Sequence, residues 1–269
     1  MTARRIAIEV ATGWTAPDAP REIDAPAVAD TPDLRLWTDS MGAGQRLGLH
    51  GRTLTQYLSG EPVIVIEESG DWLRVVGPWQ PAPEDPRGYP AWVRRAHLTA
   101  EAGAGEDAPT ADGGSGPGAA PTPRGDAAAE LPPAAGVAAD RVAVLDFARG
   151  FLGLGYLWGG TSPYGLDCSG LVHYTYRQAG VVVPRDAQAQ HDAAPAVAPG
   201  NERAGDLYFF GSDVDKVTHV GFVVEPGVML HAPQTGGRIE LVELVELPRK
   251  LRTALVGRGR FLSESVNLA

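Results

Sequence analysis

The stretch Gly165-Leu166-Asp167-Cys168-Ser169-Gly170-Leu171-Val172 decides how the rest of the chain is read. It holds the only cysteine among 269 residues. No disulfide can form within the chain, so this thiol is either a small buried hydrophobe or a reactive group. Leu171, Val172, Thr175, Tyr176 and Ala179 fall at helical spacing, and Gly180 is a natural stop, so a helix is expected over residues 168–179. Such a helix carries the thiol at its N-terminus, where the positive end of the macrodipole favours a thiolate. With an imidazole close by, this placement can lower a cysteine pKa from about 8.5 to roughly 3.5–7.5.

Downstream, strand-like runs cover residues 206–210, 219–224 and 228–231, and upstream Val142, Leu145, Ala148 and Leu152 predict one face of a helix over 141–152. Helices followed by a run of strands give an α+β domain. His219 begins one predicted strand and His231 ends the next, with Glu225-Pro226-Gly227 as the turn between them. Two antiparallel neighbours of that length bring the rings together, one to take the thiol proton and the other to hold the first in the right tautomer. The alternative is a core cysteine with two polar strand ends. Zinc fits less well, because no C-x-x-C or H-x-x-x-H pair is present. His50, His97, His173 and His191 read as surface or structural groups.

Composition divides the chain into three zones. Residues 1–100 carry short β-type runs at 6–10, 62–66 and 72–76, separated by turn residues, as in a small all-β barrel; the Pro/Asp-rich segment 17–33 reads as a long loop. Residues 101–137 are dominated by Ala, Gly and Pro and read as a flexible linker. Residues 138–269 form the second domain. Hydrophobic residues at 43% and charged residues at 21% are ordinary for a soluble protein. A formal net charge of −10 repels phosphate backbones and anionic lipid, which argues against nucleic-acid and membrane-surface partners. The N-terminal residues lack an apolar signal-peptide core, since Glu9, Asp18, Arg21 and Glu22 interrupt it, and the most apolar stretch, 142–160, contains Asp146 and Arg149. A cytoplasmic protein is the expectation.

Five motifs in order carry a resemblance. Tyr156-Leu157-Trp158-Gly159-Gly160, Asp167-Cys168-Ser169-Gly170-Leu171-Val172, Ala204-Gly205-Asp206-Leu207, Thr218-His219-Val220-Gly221 and Leu230-His231-Ala232 resemble the NlpC-type papain-like cysteine peptidases over most of residues 138–245. The resemblance implies a papain-like domain needing no metal or cofactor, with Cys168 as nucleophile, His219 as base and His231 as its orienter. It places Tyr156 near the Cys168 N–H and the substrate carbonyl, and adds Trp158, Asp167, Ser169 and Asp186 as peptide-binding candidates. Gly60-Glu61-Pro62, Gly70-Asp71-Trp72 and Gly88-Tyr89-Pro90-Ala91-Trp92-Val93 resemble the bacterial SH3-like domain of the γ-D-glutamyl-L-diamino acid endopeptidases. That domain walls off the cleft and selects murein peptides with a free N-terminal L-Ala. Trp72 and Trp92 read as barrel core, Gly70 and Gly88 as turn residues, and Glu61 and Tyr89 as substrate contacts.

Two departures from the family stand out. Some members carry a second SH3-like domain where this chain has its low-complexity segment, and Ala187 follows Arg185-Asp186 where a Ser could make a further contact. The leading expectation is hydrolysis of the γ-D-glutamyl–diaminopimelate bond in wall-peptide recycling. An amidase or acyltransferase on the same core is the alternative enzyme. An inactive wall-binding module is the non-enzymatic reading, and the presence of Cys168, His219 and His231 argues against it.

Overall fold

A computed structural model describes residues 2–100, 140–234 and 237–262. The linker expected over 101–137 lies outside the described residues. The first zone folds into a six-stranded sheet of β1 (Thr2–Arg5), β2 (Val10–Trp14), β3 (Thr53–Leu58), β4 (Pro62–Ser69), β5 (Trp72–Gly77) and β6 (Tyr89–Arg94). Its order is β1-β4-β5-β6-β2-β3. Alternation of side chains puts Val63 and Val65 of β4, Leu73 and Val75 of β5, and Ala91 and Val93 of β6 into one core with Ile6, Ala11, Tyr57 and Leu98. Gly70 (φ +56°) and Gly88 (φ +134°) occupy turn conformations that an L side chain resists.

Two expectations for this zone need correction. The run 6–10 is not one strand: β1 ends at Arg5 and β2 begins at Val10. Ile6 and Val10 are both buried but belong to different cores, so the chain bends between them. Nor is the zone all-β. The segment expected as a loop contains a 3₁₀ turn at Glu22–Asp24 and the short helix α1 (Ala25–Val28), and α2 (Leu34–Ser40) and α3 (Ala43–Leu47) follow. The acidic residues that suggested a loop are used locally. Asp33 caps α2 by accepting from the Leu36 N–H at 2.8 Å, and buried Asp24 accepts from Trp37 Nε1 at 2.8 Å.

The second zone begins with α4 (Arg141–Arg149), capped by Asp140, whose side chain accepts from Val142 N at 2.9 Å. Its inner face is Val144, Leu145 and Ala148, followed by Phe151. Val142 and Leu152, expected inside, are 62% and 44% exposed. An aromatic cluster sets the rotation: Phe147 and Phe151 pack on Tyr174 with ring centroids 5.9 and 5.8 Å apart. Next come a small hairpin, β7 (Thr161–Ser162) and β8 (Gly165–Leu166), and the central helix α5 (Cys168–Gln178). As expected, α5 starts at Cys168, and Gly180 follows it in a left-handed conformation (φ +76°). It is buried along nearly its whole length.

After α6 (Ala187–Ala193), a short helix not among the expected elements, come β9 (Leu207–Gly211), β10 (Val217–Glu225), β11 (Val228–His231), β12 (Glu240–Glu243), α7 (Arg249–Arg252) and β13 (Leu255–Gly259). These strands form an antiparallel sheet of order β12-β11-β10-β9-β13. Helix α5 lies against β10, where the N–H of Val220, the residue after His219, points at the Cys168 sulfur. The two zones dock through β3 and β7. Gln56 and Thr161 exchange three hydrogen bonds of 2.8–3.3 Å, and Thr53 Oγ1 donates to Trp158 O at 2.9 Å.

Candidate active site

Asp167 fixes where the nucleophile helix begins. One carboxylate oxygen accepts from the Gly170 N–H at 2.6 Å as N-cap, and the other accepts from Gly159 N at 2.9 Å. The same two oxygens receive a two-pronged guanidinium from Arg185, at 3.1 and 2.6 Å. Burial alone would lower the Arg185 pKa, but Asp167 and Asp186 raise it, so the guanidinium stays charged. Arg185 also donates to Ser169 Oγ at 3.0 Å and to Thr55 Oγ1 of β3 at 3.2 Å. Asp167 and Ser169 are therefore committed within the protein. Proposed as substrate contacts from the sequence, they act as placed to hold the first turn of α5.

Cys168 is 8% exposed at the first position of that turn. The Val220 and Ser169 N–H groups point at its sulfur, which favours a thiolate. Burial outweighs them and, with Asp167 alongside, pushes the thiol up to about 12. Burial therefore opposes the depressed pKa expected from the helix dipole. His219 is also buried, and burial together with His231 takes it down to about 3. Burial thus works against the charged form of both the thiol and the imidazole.

The histidines meet as the strand spacing predicts. His219 Nε2 lies 2.8 Å from His231 Nδ1, with ring planes at 84°. With Nε2 occupied by His231, Nδ1 is the ring nitrogen of His219 left to serve as a base. Phe210, paired with His219 across β9–β10, packs against its ring. Tyr156 is buried close enough to Cys168 for the sulfur to raise its phenol pKa further, beyond the larger effect of burial.

The remaining sequence-predicted contacts separate into two groups. Tyr89 donates from its hydroxyl to Asp186 Oδ2 at 2.8 Å, and the Asp186 side chain is 42% exposed. Burial, with Asp167 and Glu84 nearby, raises the Asp186 pKa against the opposing pull of Arg185. Tyr89 is buried, so Asp186, next to Arg185, is the solvent-facing side of this polar corner. Trp158 stacks on His50 of the first zone at a centroid distance of 3.8 Å. Glu61 is the correction: it is fully buried and offers nothing to a ligand. Its carboxylate accepts from Leu58 N at 2.9 Å, Gln80 Nε2 at 3.0 Å and Arg177 Nη1 of α5 at 3.0 Å. The glutamate ties the N-terminal sheet to the nucleophile helix, because a buried carboxylate needs such a partner.

Arg185, Arg177 and Glu240 carry no local sequence signal of their place near the site. Arg185 stands next to Asp186 in a quoted pair, but its target is eighteen positions away. Glu240, whose Oε1 lies 3.4 Å from His231 Nε2, belongs to a strand that the sequence does not announce.

A thiol at the N-terminus of a central helix, laid against an antiparallel sheet that carries a paired histidine, defines the papain-like cysteine peptidases. The sequence profile of the NlpC/P60 family matches residues 153–258. The γ-D-glutamyl-L-lysine dipeptidyl-peptidase of Bacillus subtilis is 35% identical over 272 residues, covering 88% of this chain and 92% of that protein. The Bacillus cereus protein of the same name is 31% identical over 289 residues, covering 89% and 85%. The crystal structure of an NlpC/P60 family protein from Bacillus cereus superposes with a TM-score of 0.81 at 25% identity, spanning 97% of this chain and all of that one. The chain belongs to the NlpC/P60 family.

Proposed function

We propose that the protein is a cysteine endopeptidase that hydrolyses the γ-D-glutamyl–diamino acid bond of murein peptides bearing a free N-terminal L-Ala. The bonded pair His219–His231, on the sheet that α5 brings Cys168 against, carries this reading. In the reaction, His219 Nδ1 takes the Cys168 proton as the sulfur attacks the γ-carbonyl of D-Glu. The Cys168 N–H at the start of α5 and the Tyr156 hydroxyl stabilise the oxyanion. The protonated His219 then gives its proton to the leaving amine of the diamino acid, and water hydrolyses the thioester.

The ammonium of L-Ala needs a carboxylate, since burying it unpaired is costly. Asp167, the nearest in sequence, is already occupied by Arg185 and two N–H groups. Asp186 with Tyr89 is the corner that supports the free-amine preference. We read residues 1–100 as the SH3-like domain that walls off this end of the cleft, and 138–269 as the peptidase domain. A free L-Ala amine exists only on peptides already released from glycan, so recycling in the cytoplasm is part of the proposal. N-acetylating the L-Ala of a defined tripeptide should cost more than about tenfold in kcat/KM, the scale of a lost charge pair. Asp186→Asn should shrink that difference. Equal cleavage of both peptides by the unaltered enzyme removes the amine corner.

A further inference from the structure

His231 has one ring nitrogen engaged and one that is not. Nδ1 bonds His219, whereas Nε2 is buried with no hydrogen bond. Glu240 is the Cα partner of His231 across β11–β12, so both side chains stand on the same face of the sheet. Its Oε1 lies 3.4 Å from His231 Nε2, within ion-pair range and just outside hydrogen-bond geometry. We propose that Glu240 is a positioning residue that extends the catalytic chain to Cys168–His219–His231–Glu240 and fixes the proton of His231 on Nε2. The proposal rests on the reading of Cys168 and His219 as nucleophile and base.

Two rings that share one hydrogen bond have linked tautomers. If His231 carries its proton on Nε2, toward Glu240, its Nδ1 is a bare lone pair and must accept from His219 Nε2–H. His219 Nδ1 is then bare as well, which is what a base needs. In the reverse arrangement His231 Nδ1–H donates to His219 Nε2, His219 is protonated on Nδ1, and nothing is left to accept the thiol proton. The reverse also sets the lone pair of His231 Nε2 against a carboxylate oxygen. Glu240 therefore selects the competent arrangement from two positions away. Asp167 and Arg185, the charged groups beside Cys168, are bound to each other at 2.6 Å. The 3.4 Å gap suits a contact that tightens when substrate binds, as resting catalytic hydrogen bonds are often long.

The Glu240 side chain is 55% exposed on the edge strand, so Glu240→Ala and Glu240→Gln should fold normally, which thermal unfolding checks. Two readouts separate positioning from simple structural support: the split between kcat and KM on the tripeptide, and the imidazole ¹⁵N shifts of the resting enzyme. Glu240→Ala should lower kcat by about tenfold with KM little changed, well short of the roughly 10⁴-fold lost when an orienting carboxylate in direct contact with the base is altered. Its His231 Nδ1 signal should move from pyridine-type toward a mixture of tautomers. Glu240→Gln, whose amide oxygen can accept the same proton, should recover part of the rate. An unchanged kcat in Glu240→Ala, a loss confined to KM, or a His231 protonated on Nδ1 in the unaltered enzyme would each overturn the proposal. Cys168→Ala is run beside these variants. If it turns over substrate, the reading of the site fails and takes the proposal with it; if it is inert, a failed Glu240 test stands against Glu240 alone.

Discussion

At Cys168 two effects of opposite sign act on one atom. The helix N-terminus and two N–H groups favour the thiolate, and burial opposes it more strongly, leaving the thiol up at about 12. Local sequence shows the first effect, because a cap and a helix start are contiguous. Burial depends on β10 arriving from fifty positions away, which no local pattern reports. The histidine pair was legible because strand spacing is itself a ruler: twelve positions with a short turn between them return the chain alongside itself. The role of each ring follows from which nitrogens are engaged. His219→Ala should lose nearly all activity. His231→Ala should lose less, because His219 remains present but free to choose the wrong tautomer. Steady-state rates on the tripeptide check this ordering, and a His219→Ala variant more active than His231→Ala reverses the assignment.

Among the elements, α5 was readable almost to the residue, since cap, nucleophile, apolar spacing and stop glycine lie in one run of sequence. What the run does not announce is why Gly170 is needed. A Cβ there would sit 1.9 Å from Gly160 O and 2.9 Å from the capping Asp167 oxygen. The glycine lets the first turn of α5 press against the Tyr156–Gly160 segment. Gly170→Ala should therefore destabilise the fold by about 1–3 kcal/mol, the usual cost of overpacking, and displace the Cys168 turn so that activity falls as well. Urea midpoints and kcat/KM measured on the same preparation test this, and a variant matching the parent in both would show that the contact yields freely. By contrast, α4 was rotated from its expected face by Phe147 and Phe151 meeting Tyr174, a choice made by the partner helix rather than by α4's own pattern. Strand β12 shows no clean alternation because it is an edge strand, largely exposed on both faces.

For the molecule as a whole, the ordered motifs of the sequence lie within the stretch that the NlpC/P60 family profile matches, residues 153–258. How the zones meet was not legible. Glu61, which looked like a ligand contact, is consumed by Arg177 of the nucleophile helix and Gln80, because pairing between distant residues leaves no local trace. Arg185 likewise spans the junction, touching Thr55 on one side and Asp167 on the other, so the first zone buttresses the turn that carries Cys168. Hydrolysis at the Cys168 thiol is tested most directly by mass spectrometry of L-Ala-γ-D-Glu-diaminopimelate incubated with the full chain and, in parallel, with Cys168→Ala. The unaltered enzyme should yield L-Ala-γ-D-Glu and free diaminopimelate, and the folded Cys168→Ala protein should leave the tripeptide intact. An intact tripeptide in the first tube, or the same two products in the second, would contradict it.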